Sequence, residues 1–312
     1  MLHRILWAIS THARACLVVG LIGGLALPSL AAAMVPWLPH MVALLLVTTA
    51  LRVGHREALG AIGDLRWGLA VIVALQMVVP LILLGLLHLA GLSDTPAALA
   101  VVLTSAAPAI TGSVNLALIM RLDAGRMMQI LVLGTAAFPV TVLPVLWAMP
   151  QLGAAGDILG AALSLLAVIA LATVVGFTLR ARVFPDPSPG QIKALDGLSV
   201  LAFCIIVVGL MAALNPALRA DPRVVLNWAL LAFAIGYGLQ LLALMVLRRS
   251  PLRPFAGPIA LAAGNRNVAI FLVALPADIL APLMIFIGCW QLPMYLTPVL
   301  MPKLYARALR HD

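Results

Sequence analysis

The chain has 312 residues, of which 64% are hydrophobic and 9% are charged, and its mean hydropathy is +1.16. A soluble domain is about half apolar and one quarter charged, so this composition excludes a soluble globular protein and predicts a polytopic membrane protein. The net charge of +9 does not indicate nucleic-acid binding, because the basic residues follow a topological pattern along the chain.

Ten apolar runs of the length needed to cross a bilayer follow one another along the sequence. They lie near residues 14–34, 38–54, 67–90, 96–120, 127–149, 157–179, 196–216, 224–247, 256–276 and 279–301. Ten spans place both termini on the same side of the membrane. Sixteen Lys and Arg residues fall on that side and only Arg219 and Arg223 on the other. We therefore expect both termini to be cytoplasmic, in a bacterial-type inner or plasma membrane.

The longest polar connection, residues 180–196, separates the sixth span from the seventh. It divides the chain into residues 1–183, with spans 1–5, span 6 and the start of this linker, and residues 184–312, with the linker and spans 7–10. The two five-span repeats are predicted at approximately 1–150 and 151–312. Because five is an odd number, the repeats insert with opposite orientations, as in inverted-repeat transporters. We expect the whole chain to form one integral membrane unit.

Spans 4 and 9, each the fourth span of its half, are predicted to be interrupted helices. Span 4 contains the segment APAITGSVN from Ala107, and span 9 contains AAGNRN from Ala262. Pro108 removes a backbone donor and clashes with the preceding helical turn, whereas Gly112 and Gly264 permit irregular backbone. Such breaks are tolerated at membrane depth only inside protein or beside a wet cavity, where the half-helix ends become ligand-binding groups.

Arg266 lies about ten residues from either end of span 9, roughly 15 Å from both ends of a helix of that length. A charge at that depth costs at least ~3 kcal/mol and indicates a functional site. No Asp or Glu lies in the interior of any apolar run, so we expect a ligand to supply the negative group. Two roles remain open for Arg266: contact with an anionic substrate, and capping of carbonyls released by the break in span 4.

At these two segments the chain resembles the bile acid:sodium symporter family. The family pattern C-P-G-G-T-A-S-N in span 4 aligns with residues 107–114, APAITGSV, and the pattern E-V-G-x-Q-N in span 9 aligns with residues 262–267, AAGNRN. A polar Gln followed by a Pro in span 3 matches Gln76 and Pro80. The resemblance implies an all-α membrane protein with two inverted five-helix repeats, whose broken helices 4 and 9 cross in a core domain beside a panel domain.

The departures from the family concern its two sodium sites. At the first site Ser113 matches, but the Asn position is Val114, two hydroxyl positions are Met127 and Leu131, and the Glu position is Ala262. Asn115, one residue late, compensates only in part.

At the second site Gln76 remains, whereas the span 9 Gln position is Arg266. A missing carboxylate and an added guanidinium disfavour a cation there. We therefore expect no cofactor and no metal, with sodium disfavoured and Arg266 standing as a tethered cation where the ion would sit.

The sequence thus predicts a secondary transporter that moves a small organic anion by alternating access. The predicted substrate-lining residues share amide, hydroxyl or guanidinium groups near the interruptions; they are Arg266, Asn267, Asn265, Asn115, Thr111, Ser113 and Gln76. The alternatives are a sodium-coupled symporter of bile-acid-like anions and a membrane receptor that binds without transport. An enzyme is not expected, because no mid-depth His accompanies the span serines and no metal-ligand spacing is present. The only other partner expected is the lipid bilayer; nothing in the sequence indicates an oligomeric state.

Overall fold

The computed structural model describes residues 2–60, 64–152 and 155–309. These residues form helices joined by short connections, with no strand among them. The α-helices are α1 Leu2–Thr11, α2 Ala13–Ala26, α3 Pro28–Met34, α4 Leu38–Gly60, α5 Leu65–Val73, α6 Val79–Leu89, α7 Pro96–Ala106, α8 Ser113–Ile119, α9 Ala124–Thr141, α10 Leu143–Trp147, α11 Ala155–Val183, α12 Pro189–Leu210, α13 Leu214–Ala220, α14 Pro222–Leu247, α15 Ala256–Gly264, α16 Ala277–Leu280, α17 Met284–Leu300 and α18 Pro302–Leu309.

Seven continuous helical stretches among the described residues are long and apolar enough to cross a membrane. They correspond to predicted spans 2, 3, 5, 6, 7, 8 and 10. A bent pair, Arg4–Thr11 and Ala15–Ala26, raises the number to at most eight. Spans 4 and 9, the two predicted to be interrupted, contain no continuous helix of sufficient length. The chain is therefore a helical, polytopic membrane protein, and the count of ten spans and the inverted repeat stay predictions.

The boundary between predicted spans 1 and 2 lies earlier than residues 35–37, where the sequence placed it. The backbone leaves helical geometry at Leu27 (φ −118°, ψ 66°), because the proline at position 28 disfavours helical conformation in the residue before it. The segment Val35–Trp37 instead continues the helix as a 3₁₀ turn. The apolar helical stretch thus runs over Pro28–Arg56, with non-helical backbone at Gly54 (φ 75°, ψ 163°) near its end.

The chain divides into two compact units, and the first contains the described residues of Met1–Gly60, Ser164–Leu226 and Ala269–Gly288. Its central element is α12, against which α1, α2 and α4 pack. Glycine permits the closest of these approaches, because a β-carbon at Gly197 would lie only 1.9 Å from the carbonyl oxygen of Leu6.

The second unit contains the described residues of Ala61–Leu163, Asn227–Val268 and Cys289–Asp312. It includes both interrupted spans, and every residue of α15 is buried. At one end, the Arg126 guanidinium lies between the rings of Trp67 and Phe255, 4.5 Å and 4.6 Å from their centroids, and donates to Asp64. This contact joins the beginnings of α5, α9 and α15. It therefore fixes the starts of spans 3, 5 and 9 relative to one another.

We predict that Gly197→Ala destabilises the protein by about 1–3 kcal/mol, because the added methyl must displace backbone rather than a flexible side chain. Thermal unfolding of the purified protein measures the effect. Gly160→Ala in α11 is the matched control, since nothing lies within 4 Å of its added methyl. Equal stability of the two variants would contradict the close packing of α1 on α12.

Candidate functional site

The interruption of span 4 begins at Ala107, one residue after the end of α7. Ala107 adopts φ −57° and ψ 151°, an extended geometry imposed by Pro108. The chain then runs without helical bonding until α8 begins at Ser113, after Gly112. The chain between α7 and α8, residues 107–112, therefore lies outside the helices, with Pro108 and Gly112 near its two ends.

The interruption of span 9 begins at Asn265 (φ −117°, ψ 81°), immediately after Gly264. Its extended residues pair with those of span 4 in an antiparallel bridge between Ala109 and Arg266. The backbone N–H of Ile110 donates to the backbone oxygen of Asn265 at 3.0 Å, and the backbone N–H of Asn267 donates to that of Pro108 at 2.8 Å. The two breaks therefore satisfy part of each other's backbone, and we call the paired segments 107–112 and 265–267 the crossover.

Arg266 is only 1% exposed and is bonded to backbone oxygens on three separate segments. Nε donates to the oxygen of Ala263 at 3.0 Å, Nη1 to that of Ala107 at 2.9 Å, and Nη2 to that of Leu75 at 3.1 Å. The Arg266 oxygen in turn accepts from the Trp290 indole at 2.9 Å. We call the guanidinium with these three oxygens the carbonyl clamp. It joins spans 3, 4 and 9.

Each oxygen of the carbonyl clamp has lost its helical donor. The donor for Ala263 would be the amide of Asn267, which bonds Pro108 instead. Ala107 lies just beyond the last residue of α7, where helical carbonyls are left without partners.

The Leu75 oxygen lost its donor in a different way. A π-helical turn, Ala74–Val78, shifts the Val79 amide onto the Ala74 oxygen, and the next residue, Pro80, has no N–H. An unpaired buried carbonyl costs about 1–3 kcal/mol. The clamp therefore gives hydrogen bonds to oxygens that would otherwise be buried without a donor.

The charge of the carbonyl clamp has no ion-pair partner among the described residues. No carboxylate of a described residue lies within ion-pairing distance of Arg266. Three bonds use three of the five guanidinium N–H groups, leaving two for a further acceptor. The capping role considered from the sequence is thus observed, and the possibility of substrate contact stays a prediction.

Two of the predicted lining residues, Gln76 and Asn265, have their amides engaged inside the unit. Gln76 donates to the Gly134 oxygen at 3.1 Å and accepts from the Thr141 hydroxyl at 2.8 Å. Asn265 is fully buried, and it donates to the Leu261 oxygen and accepts from the Thr297 hydroxyl. These contacts make both residues part of the support of the crossover; their assignment to substrate binding stays a prediction.

The other predicted polar residues lie in the crossover or just after it in span 4. Ser113 is buried, and its hydroxyl has no hydrogen-bond partner among the described residues. Thr111 and Asn115 are half-buried, and Asn267 is 8% exposed. The bridge at Ala109 brings the segments of Thr111 and Asn267 together, so a set of hydroxyl and amide groups surrounds the crossover.

A buried chain of polar side chains supports Asn265, and most of it was not identified from the sequence. The Tyr305 hydroxyl donates to the Gln240 side-chain oxygen at 2.9 Å, and the Gln240 amide donates to the Thr297 hydroxyl at 3.4 Å. Thr297 reaches Asn265 at 3.2 Å. The chain therefore connects α18, outside the predicted spans, to the crossover. In the sequence, its members appear as single polar residues in separate apolar segments. Hydrophobic periodicity does not show that such residues contact one another.

The residues that the resemblance assigns to the second sodium site are engaged or changed. The Gln76 side chain bonds α9, Arg266 occupies the Gln position and bonds backbone oxygens, and Ala262 supplies no carboxylate. Among the described residues, no three His, Cys, Asp or Glu side chains cluster as metal ligands.

No protein-family model matches the chain, and no curated protein matches it significantly.

We predict that Arg266→Met destabilises the protein by about 3 kcal/mol or more, because three buried oxygens lose their donors. Arg266→Lys recovers only part of this loss, since an ammonium cannot match the planar fork. Thermal unfolding measures both changes, with exposed Arg248→Met as the control. An Arg266→Met variant as stable as the parent protein would contradict the clamp.

In Arg266→Ala, millimolar guanidinium chloride is expected to raise the unfolding temperature where sodium chloride does not.

We predict that Gly264→Ala also disrupts the crossover. A β-carbon there would lie 2.0 Å from the Gly236 oxygen and 2.4 Å from Gln240 Cγ, so α15 must move away from α14. The expected loss is about 1–3 kcal/mol of unfolding free energy. Gly238→Ala, on the same α14 with nothing within 4 Å of the new methyl, is expected to leave the unfolding temperature unchanged.

Proposed function

We propose that the protein is a secondary transporter of a small organic anion, which works by alternating access and does not use the sodium sites of the family that it resembles. The observation that carries this proposal is the crossover, where two interrupted helices pair around a buried, uncompensated arginine. Discontinuous helices that present half-helix ends at depth are characteristic of secondary transporters and of their binding sites.

The sign of the charge supports an anion. In unit 2 the described acidic residues, including Asp64 and Asp123, lie at helix ends and not at the crossover. In an apolar interior the field of Arg266 is weakly screened, so a negative group nearby is stabilised. The two guanidinium N–H groups outside the carbonyl clamp provide a fork for one of its oxygens.

Recognition of the rest of the substrate is assigned to polar groups in the crossover and just after it. The hydroxyl of Ser113 has no hydrogen-bond partner among the described residues, and Asn267 is 8% exposed. Thr111 and Asn115 add partly exposed hydroxyl and amide donors. Together they favour a small carboxylate or similar oxyanion over a purely apolar molecule, because buried donors without an acceptor are costly.

The occupied oxygens argue against sodium coupling. A transported cation has to coordinate several protein oxygens and leave them on the opposite side. The guanidinium of Arg266, at the Gln position of the second site, already bonds the nearby Ala263 oxygen, and it is covalently attached. Sodium-coupled symport therefore has less support than sodium-independent transport.

We predict that proteoliposomes containing the protein take up at least one member of a panel of small carboxylates without a sodium gradient. Sodium, potassium and proton gradients are imposed separately. Asn267→Ala is expected to lower the uptake about tenfold, because it removes a hydrogen bond to a charged group. Asn227→Ala, at an exposed position of α14, is the matched control.

Flux that requires sodium would contradict the proposed mechanism. Saturable binding of the anion without any flux would instead assign the protein to the receptors, and chemical turnover would assign it to the enzymes.

A further inference from the structure

A second polar site lies in the first unit, at the predicted cytoplasmic ends of α4 and α11. It is a cavity of about 260 Å³ beside the interruption of α4 at Gly54 (φ 75°). The basic side chains of His55, Arg56 and Arg180 line it, together with the acidic side chain of Asp186. None of these groups takes part in the crossover.

Arg180 forms the inner wall of this cavity. It is 5% exposed, and its Nη1 donates to the oxygens of Leu51 (3.1 Å) and Arg52 (2.9 Å). These carbonyls lie three and two residues before Gly54, beside the interruption of α4. The guanidinium is therefore held in place by backbone, so its position is fixed before any ligand binds.

Arg56 forms the outer wall and is accessible. It is ion-paired with Asp186, but the two side chains are 67% and 75% exposed. An exposed pair of this kind contributes about 0–1 kcal/mol, so an incoming anion displaces Asp186 at little cost. The neighbouring Arg52 is instead paired with Asp196 at 2.7 Å, with exposures of 20% and 17%, and is not available in the same way.

We propose that this cavity binds a phosphate group, provided by an anionic lipid headgroup or by a free phosphate. The apolar stretches of α4 and α11 end just before Arg52 and Arg180, which places the cavity at the boundary between lipid and water. Arginine forks match phosphate oxygens in two-point contact, and basic pockets at the cytoplasmic ends of membrane helices hold phospholipid headgroups. The site does not depend on the proposed transport.

The experiment uses the full-length protein in phosphatidylcholine nanodiscs with increasing phosphatidylglycerol, and native mass spectrometry measures lipid retention. Arg56→Gln is expected to weaken phosphatidylglycerol retention about fivefold, because it removes an arginine that lines the cavity and faces the phosphate. Asp186→Asn is expected to strengthen it by a similar factor, because the competing carboxylate is removed. Arg182→Gln, on an exposed position of the same helix as Arg180, leaves retention unchanged.

A second arm separates the two sources of phosphate. Inorganic phosphate is added to the protein in pure phosphatidylcholine, and thermal unfolding is measured for the parent protein and for Arg56→Gln. Stabilisation of the parent alone assigns the cavity to free phosphate, and selective phosphatidylglycerol retention without it assigns the cavity to a lipid headgroup.

Two results overturn the proposal. One is the absence of both effects in the parent protein. The other is weaker retention in Asp186→Asn, which shows that the cavity needs its ion pair for structure and not its positive charge for binding. Because Asp186→Asn keeps all the arginines, it decides the question even where Arg56→Gln does not fold.

Discussion

The constraint on which the second unit depends is the satisfaction of backbone oxygens inside an apolar interior. Breaking two helices at the same depth releases amides and carbonyls that have no water to bond. The antiparallel bridge at Ala109 and Arg266 satisfies some of them, and the guanidinium satisfies three more. The arginine is therefore not only a charge placed in a helix. It is the donor that makes the interruption of three neighbouring segments compatible with burial.

The chain uses the same solution in its first unit. Beside the interruption of α4 at Gly54, the oxygens of Leu51 and Arg52 are bonded by Arg180 from α11. In each unit an arginine thus bonds carbonyl oxygens beside a break in another segment, and its five donors suit it to several carbonyls at once. The two arginines differ in their surroundings. Arg180 lies at the end of an apolar stretch beside other basic side chains, whereas no described carboxylate lies within ion-pairing distance of Arg266.

The sequence was informative where a single residue decides the local backbone. Pro108 and Gly264 predicted both interruptions because proline forbids, and glycine permits, particular backbone geometry. It was less informative where the outcome depends on distant partners. Pro80 removes one donor near Leu75, but it does not reveal that a π-helical turn frees the Leu75 oxygen for Arg266. The polarity of Gln76 likewise gives no sign that α9 takes both ends of its amide. The boundary between spans 1 and 2 lies at Leu27 because the following proline disfavours helical backbone there. The length of the apolar run does not indicate this effect.

A covalently attached cation has a consequence for energetics that a bound ion does not. A coupling ion drives uptake because it binds on one side of the membrane and dissociates on the other, whereas the guanidinium of Arg266 stays with the protein. In the proposed transporter Arg266 therefore supplies no ion gradient, and the substrate's own gradient and the membrane potential act on the anion directly. Moving a monovalent anion inward against 100 mV, inside negative, costs about 2.3 kcal/mol. Sodium-independent uptake of such an anion therefore has to overcome the membrane potential, whereas its export does not.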